Sequence, residues 1–142
     1  MQQYIEFLTN HPLLFGLLAV VLGAIFFTEW SRATRKFKVL GPTEAVRVMN
    51  QDGALVLDVR EEAEVRKTGR ISGAKHIPVG KLADRLSEIA KYKEKPVVAY
   101  CQSGPRSASA CNILVKNGFS QVVNLQGGIT AWSSASLPLS KK

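Results

Sequence analysis

The chain has 142 residues, with 19 Lys and Arg against 11 Asp and Glu and a formal charge of +8. That length fits one compact domain plus a short appendage, and 46% hydrophobic with 21% charged residues excludes a wholly disordered or collagen-like chain. Two cysteines, Cys101 and Cys111, are too few for a disulfide-rich scaffold or a four-cysteine zinc site.

A mean hydropathy of +0.02 is high for so charged a chain, and the excess has one location. From Pro12 to Phe27 there are 16 successive residues without a charge or strongly polar group. A helix crossing a hydrocarbon core of about 30 Å needs roughly 20 residues, so the run is extended to Trp30. Residues 10–30 are read as one transmembrane helix behind a short tail, 1–9, with Tyr4 and Trp30 as aromatic anchors. A cleaved signal peptide should begin with positive charge, whereas the only charge before the run is Glu6, and no A-x-A-like site precedes Glu29. A buried core helix should be amphipathic, and this one is apolar all round. Arg32, Arg35, Lys36 and Lys38 follow immediately, which places the N-terminus outside and the rest in the cytoplasm. Residues 31–38 are a basic linker able to lie on anionic headgroups. Glu6 and Glu29 are the only Asp, Glu, Lys or Arg up to Trp30, so the remainder carries 19 basic against nine acidic residues, +10. Nucleic acid is not the expected partner, because the lysines are scattered and no aromatic-basic stacking motif accompanies them.

The domain from 39 to 142 alternates strands and helices. Phe37 to Leu40 is a short apolar segment, and Gly41-Pro42-Thr43-Glu44 opens a helix to about Asn50 with Thr43 as candidate cap. Ala54 to Val59 is a β-rich run, the pattern of a strand buried on both faces. Glu61 to Lys67 is a charged loop or short helix, and a small strand lies within Ile71 to Ile77. Lys81 to Ala90 is a helix with Leu82, Leu86 and Ile89 on one face. Pro96 to Tyr100 is a second buried strand, Ser107 to Asn117 a helix stopped by Gly118, Gln121 to Leu125 a last strand, and Ile129 to Ser134 a terminal helix. This order implies an α/β domain with a mostly parallel sheet covered by helices on both faces.

The most informative segment is Tyr100-Cys101-Gln102-Ser103-Gly104-Pro105-Arg106-Ser107, between a buried strand and a helix. Ligands of open α/β sheets bind beyond the carboxyl ends of strands, where Cys101 falls. The residues after it can turn successive amides on one point, and Gly104 permits the dihedrals such a nest requires. Converging amides, a helix N-terminus and Arg106 bias a thiol towards thiolate. Such a loop serves either attack on a phosphate monoester or capture of a sulfane sulfur as a persulfide. Loop size separates them, and Cys101 to Arg106 spans six residues. No Walker loop, GxGxxG fingerprint or metal-ligand cluster is present, so no cofactor or metal is expected.

From about Lys38 to Leu139 the chain resembles a single-domain rhodanese, a sulfurtransferase module. The resemblance rests on Asp58-Val59-Arg60, Gly69-Arg70-Ile71-Ser72-Gly73-Ala74-Lys75-His76-Ile77-Pro78, the Cys101 to Ser107 loop, and Leu125-Gln126-Gly127-Gly128-Ile129 with Trp132 and Leu137-Pro138 behind it. The family's sulfurtransferases have a six-residue loop, as here, whereas the related phosphatases have seven. Many members have His where this chain has Arg70. With its N-terminal helix, the chain is similar to bacterial inner-membrane rhodanese-like proteins, which implies a single-pass inner-membrane location. The resemblance further implies that Cys101 takes sulfur from a donor such as thiosulfate and passes it to a thiol or cyanide. The amides of Gln102, Ser103, Gly104, Pro105, Arg106 and Ser107 would stabilise the charged sulfur, with Arg106 attracting an anionic donor.

Other residues have plainer expected roles. Asp58 and Arg60 tie loops together beside the site, His76 is structural, and Cys111, Phe119 and Trp132 belong to the core. The alternative to an enzyme is a rhodanese-like interaction module held beside an integral membrane protein, because a fold does not fix an activity. The intact nucleophile and cradle favour the enzyme.

Overall fold

A computed structural model describes residues 1–141. The chain divides into two units, Met1–Arg35 and Lys36–Lys142. The first holds α1 (Gln2–Asn10) and α2 (Pro12–Ala33). The expected tail is therefore helical over nearly its whole length. The break between the helices follows from Pro12, which lacks an N–H and pushes the residue before it out of the α region. His11 has φ −127° and ψ 52°, and Pro12 starts α2 at its first turn. The Phe7 ring packs at 4.8 Å from that of His11 and 6.0 Å from that of Phe15, joining the two helices across the break. With 22 residues, α2 is about 33 Å long. It runs past the expected end at Trp30 and takes up Ser31 to Ala33 of the linker, and the Thr34 hydroxyl closes it on the Trp30 carbonyl at 2.9 Å. Among the described residues it is the one helix long and apolar enough to cross a bilayer, and none of its residues is buried.

The second unit is built on a five-stranded, all-parallel sheet. Its strands are β1 (Lys38–Leu40), β2 (Leu55–Asp58), β3 (Lys75–His76), β4 (Pro96–Tyr100) and β5 (Gln121–Leu125), ordered β1-β5-β4-β2-β3. Leu55 to Asp58 registers with Val97 to Tyr100, and Pro96 to Ala99 with Gln121 to Asn124. All five residues of the central β4 are buried, as its unbroken apolar run requires. The alternation of strand side chains divides the core. Leu55, Leu57, Val97, Ala99, Cys101 and Val122 face one side with Leu82, Ile89, Ala110, Cys111, Leu114 and Phe119. Val98, Tyr100, Val123 and Leu125 face the other with Ala45, Ile71, Ile129 and Trp132. Helices α3 (Pro42–Met49), α4 (Glu62–Thr68), α5 (Val79–Leu82) and α6 (Pro105–Lys116) supply the crossovers, and α7 (Gly128–Ser134) follows the last strand. Cys111, Phe119 and Trp132 take their expected core places.

Three local readings are corrected. The cap of α3 is Gly41, with Pro42 in the first turn and no side-chain cap bond, so Thr43 lies inside the helix. Proline's fixed φ suits that first position and displaces the cap by two residues. The helix expected at 81–90 is a single α-turn, α5, followed by a 3-10 segment, Ala83–Tyr92, interrupted at Arg85 (φ −113°, ψ 15°). In 3-10 geometry residues i and i+3 eclipse, and Arg85 meets Glu88 there at 2.6 Å and 3.0 Å. Finally, α6 starts at Pro105 rather than Ser107.

Candidate active site

The site begins with the carboxyl end of β4. Cys101 follows the strand directly and is 1% exposed, on the α6 side of the sheet. The loop then turns so that its carbonyls face away from the thiol. Ile129 donates its N–H to the Cys101 carbonyl at 2.9 Å, and Thr130 donates its own to that of Gln102 at 3.2 Å. The Thr130 hydroxyl adds a bond to the same Gln102 carbonyl at 3.0 Å, and the Gln102 side-chain amide donates back to Thr130 Oγ1 at 3.1 Å. The start of α7 thus takes up the first two carbonyls of the loop. This requires close approach. A Cβ on Gly128 would stand 2.5 Å from the Cys101 oxygen and 2.6 Å from Gln102, and Gly128 has φ +58°.

With its carbonyls turned outward, the loop directs N–H groups at sulfur. Gly104 donates to Cys101 Sγ at 3.0 Å. Its φ of +122° is one that side chains rarely tolerate, which is the conformational role the sequence assigned to it. Pro105 has no N–H to give, so it drops out of the amide set expected from Gln102 to Ser107, and instead occupies the first turn of α6. Burial pushes the Cys101 thiol up. The Ser107 hydroxyl and the amides of Ser107, Gly104 and Ser103 outweigh that and leave it below the ordinary cysteine value. Cys111 lacks such donors, and burial pushes it up to about 12. The loop's donors and the deeper burial of Cys111 together set the two thiols of one core layer apart.

Ser107 is fully buried. Its Oγ lies 3.4 Å from Sγ, 2.9 Å from the Gly104 carbonyl and 2.6 Å from Asn124 Oδ1. Asn124 Nδ2 also donates to the Gly104 carbonyl, at 3.3 Å. Asn124 is a partner that sequence reasoning missed. The available signal was an amide in an otherwise apolar strand, at an inward position beside the sheet's carboxyl edge.

Arg106 is expected either to attract an anionic donor or to serve the fold from within the loop. Both its terminal nitrogens meet Glu64 on α4, each at 2.7 Å. Glu64 also accepts the Glu61 N–H at 3.0 Å, completing a capping box at the start of α4. The Arg106 guanidinium holds the Glu64 carboxyl down at about 2. Gln102 is half-buried and Ser103 and Pro105 are exposed, so the loop's outer rim is open to solvent.

On the opposite face of the sheet, Asp58 and Arg60 form a buried pair. Arg60 Nη2 lies 2.7 Å from Asp58 Oδ2 and 2.8 Å from the Gly69 carbonyl, while Nη1 donates to Thr68 Oγ1 at 2.8 Å. Tyr100 donates its hydroxyl to Asp58 Oδ2 at 2.9 Å and accepts the Ile71 N–H at 3.0 Å. His76 Nε2 donates to the Arg60 carbonyl at 2.7 Å. Among the described residues no buried side-chain polar atom lacks a partner, and no cluster could hold a metal ion. Asp58, Arg60 and His76 therefore tie the ends of β2, β3 and β4 together under the loop.

Comparison with known proteins finds relatives of the domain. The model of the rhodanese-like domain matches residues 41–135. The Escherichia coli K12 protein named Uncharacterized protein YibN is 34% identical over 140 residues, covering 98% of this chain and 97% of its own. A Sulfurtransferase of Allochromatium vinosum is 40% identical over 93 residues, 66% of this chain and 84% of the relative. The solution structure of a polysulfide-sulfur transferase homodimer from Wolinella succinogenes superimposes with a TM-score of 0.67 at 29% identity, covering 83% of this chain and 88% of that one.

Proposed function

The chain belongs to the rhodanese-like family, and we propose that within it Cys101 is the nucleophile of a membrane-anchored sulfurtransferase, carrying a sulfane sulfur as a persulfide. The observation that carries the reading is the cradle around Sγ: a thiol at a strand end, held below its ordinary pKa by an amide at 3.0 Å and by Ser107. The thiolate form that these donors favour can attack the outer sulfur of a donor such as thiosulfate. The S–S bond of the donor breaks, sulfite leaves with the bonding pair, and the transferred sulfur remains on Cys101. An acceptor thiolate or cyanide then attacks that outer sulfur and restores the Cys101 thiolate. The amides of Ser103, Gly104 and Ser107 face the position where negative charge develops, at no cost of reorganisation. The two carboxyl-edge networks hold the loop from outside.

The same reading assigns residues 10–30 to a bilayer span, with the N-terminus outside and the sulfurtransferase unit on the cytoplasmic side of an inner membrane. It is supported by the length and composition of α2, by Arg32, Arg35, Lys36 and Lys38 after it, and by a relative aligned through this region. Intact mass tests the chemistry. The chain incubated with thiosulfate gains the mass of one sulfur atom, loses it to cyanide as thiocyanate, and does neither as Cys101→Ser. A wild-type chain that gains no sulfur from thiosulfate or from a persulfide ends the enzymatic reading.

A further inference from the structure

Arg106 and Arg60, the two cationic side chains named for the site, are both paired with carboxylates. Arg106 is the only Lys or Arg of the segment 101–107. Its two terminal nitrogens are held by the Glu64 carboxylate at 2.7 Å each, in the paired geometry that makes guanidinium–carboxylate contacts specific. Arg60 is fully buried against Asp58. The Glu64–Arg106 pair lies at the rim, with side chains 33% and 37% exposed, and Glu61, the cap of α4, adds a second carboxylate acting on Arg106. A donor reaching Cys101 thus passes one guanidinium already neutralised by its own partner.

The consequence depends on the donor's charge. With thiosulfate, the thiolate meets a dianion and three negative charges gather as sulfite departs. With a persulfide, the Cys101 thiolate attacks the terminal sulfur of R–S–SH, the S–S bond breaks, R–S⁻ leaves with the electron pair, and the proton stays on the transferred sulfur. That step gathers one negative charge and needs no added oxidant. Accepting the proposed persulfide chemistry at Cys101, we infer that Glu64 is the donor-selectivity residue: by holding Arg106 it sets the site against dianionic thiosulfate and in favour of persulfide donors.

The test uses the full chain in detergent, with single-turnover sulfur loading of Cys101 followed by mass, and with thiosulfate and an alkyl persulfide that bears no other ionisable group, which reacts through its protonated form, as the two donors. Wild type loads faster from the persulfide than from thiosulfate at equal concentration. Glu64→Gln keeps an acceptor for the Glu61 N–H, so α4 retains its cap. It raises the second-order rate with thiosulfate about tenfold, as removal of one carboxylate charge near a dianion predicts, and changes the persulfide rate less than about threefold. Raising the salt concentration narrows the difference between wild type and variant for thiosulfate only. Glu64→Asp keeps the charge and the wild-type preference. A wild type that prefers thiosulfate, or a Glu64→Gln chain in which both donors change alike, overturns the inference while leaving the persulfide reading intact. Failure of both donors to load wild type overturns the two together.

Discussion

Replacing Ser107 by Ala removes the one hydroxyl that reaches Sγ and leaves the amide cradle in place. The Ser107 Oγ is 3.4 Å from Sγ and shares its single proton with Asn124 Oδ1 at 2.6 Å and the Gly104 carbonyl at 2.9 Å. A hydrogen bond to a charged acceptor is worth about 1.5–3 kcal/mol, and the shared, longer contact puts this one at the lower end. At 1.36 kcal/mol per unit, about 1.5 kcal/mol raises the Cys101 pKa by roughly one unit. The thiolate fraction below the midpoint then falls about tenfold. The more basic thiolate regains part of this through nucleophilicity, with a Brønsted slope of about 0.4–0.5, so sulfur loading at fixed pH slows only about threefold. Ultraviolet thiolate absorbance, read as the difference from a Cys101→Ser chain, follows the titration without needing access to the buried sulfur. Cys111, pushed up to about 12, is silent across that range. Ser107→Thr, which keeps the hydroxyl, restores the midpoint. A Ser107→Ala midpoint within about 0.3 unit of wild type, or below it, would refute the assignment of Ser107 as a donor to sulfur.

Three further outcomes are expected. Gly128→Ala drives a methyl to 2.5 Å from the Cys101 carbonyl at φ +58°, so the loop separates from α7, and sulfur loading falls by at least tenfold together with thermal stability. Tyr100→Phe strips Asp58 Oδ2 of a donor and leaves the Ile71 N–H buried without an acceptor. It costs about 3 kcal/mol, or roughly 12 °C at ~4 °C per kcal/mol, measured by Trp132 fluorescence in a 36–142 fragment that excludes Trp30. Unchanged stability there would mean that the hydroxyl is replaced by water. Glu64 titrates at about 2 in the folded chain against 4.5 ordinarily, so its pairing stabilises the fold above about 4.5 and is lost as pH falls towards 2. Wild type and Glu64→Gln should differ in denaturant midpoint at pH 7 and converge by pH 2, and a difference constant across that range would deny the ion pair its role.

Much of this was legible in the sequence, for local reasons. The run Pro96–Tyr100 can only be a strand buried on both faces, and Cys101 with Gly104 behind it can only sit at that strand's end, so the proposed nucleophile and its loop follow from adjacent residues. The apolar N-terminal helix follows from composition. Three helix starts were displaced at proline, Pro12, Pro42 and Pro105, each one or two residues from where polar cap residues alone would put it, while the end of α2 at Ala33 and the interruption at Arg85 involve no proline. What stayed hidden was what the chain brings together from a distance. Glu64 and Arg106 are 42 positions apart, Tyr100 and Ile71 29, and Ser107 and Asn124 17. A lone Glu in a charged helix and a lone Asn in a strand carry no mark of the partner they will meet.

The period of two along β4 explains how the buried ion pair serves the thiol without touching it. Tyr100 and Cys101 are neighbours in sequence and opposite in direction, so one anchors the strand end in the Asp58–Arg60 network while the other enters the α6 face. Replacing Asp58 or Arg60 alone leaves a buried charge without its partner, which is costly out of proportion to the net worth of the pair. The disturbance reaches Cys101 through one peptide unit as displacement, not as charge. Variants of the network are therefore expected to lower the amount of folded chain and the loading rate together while leaving the titration midpoint of Cys101 in place. Ser107 variants move that midpoint. The two classes of effect separate residues that hold the loop from residues that tune the sulfur.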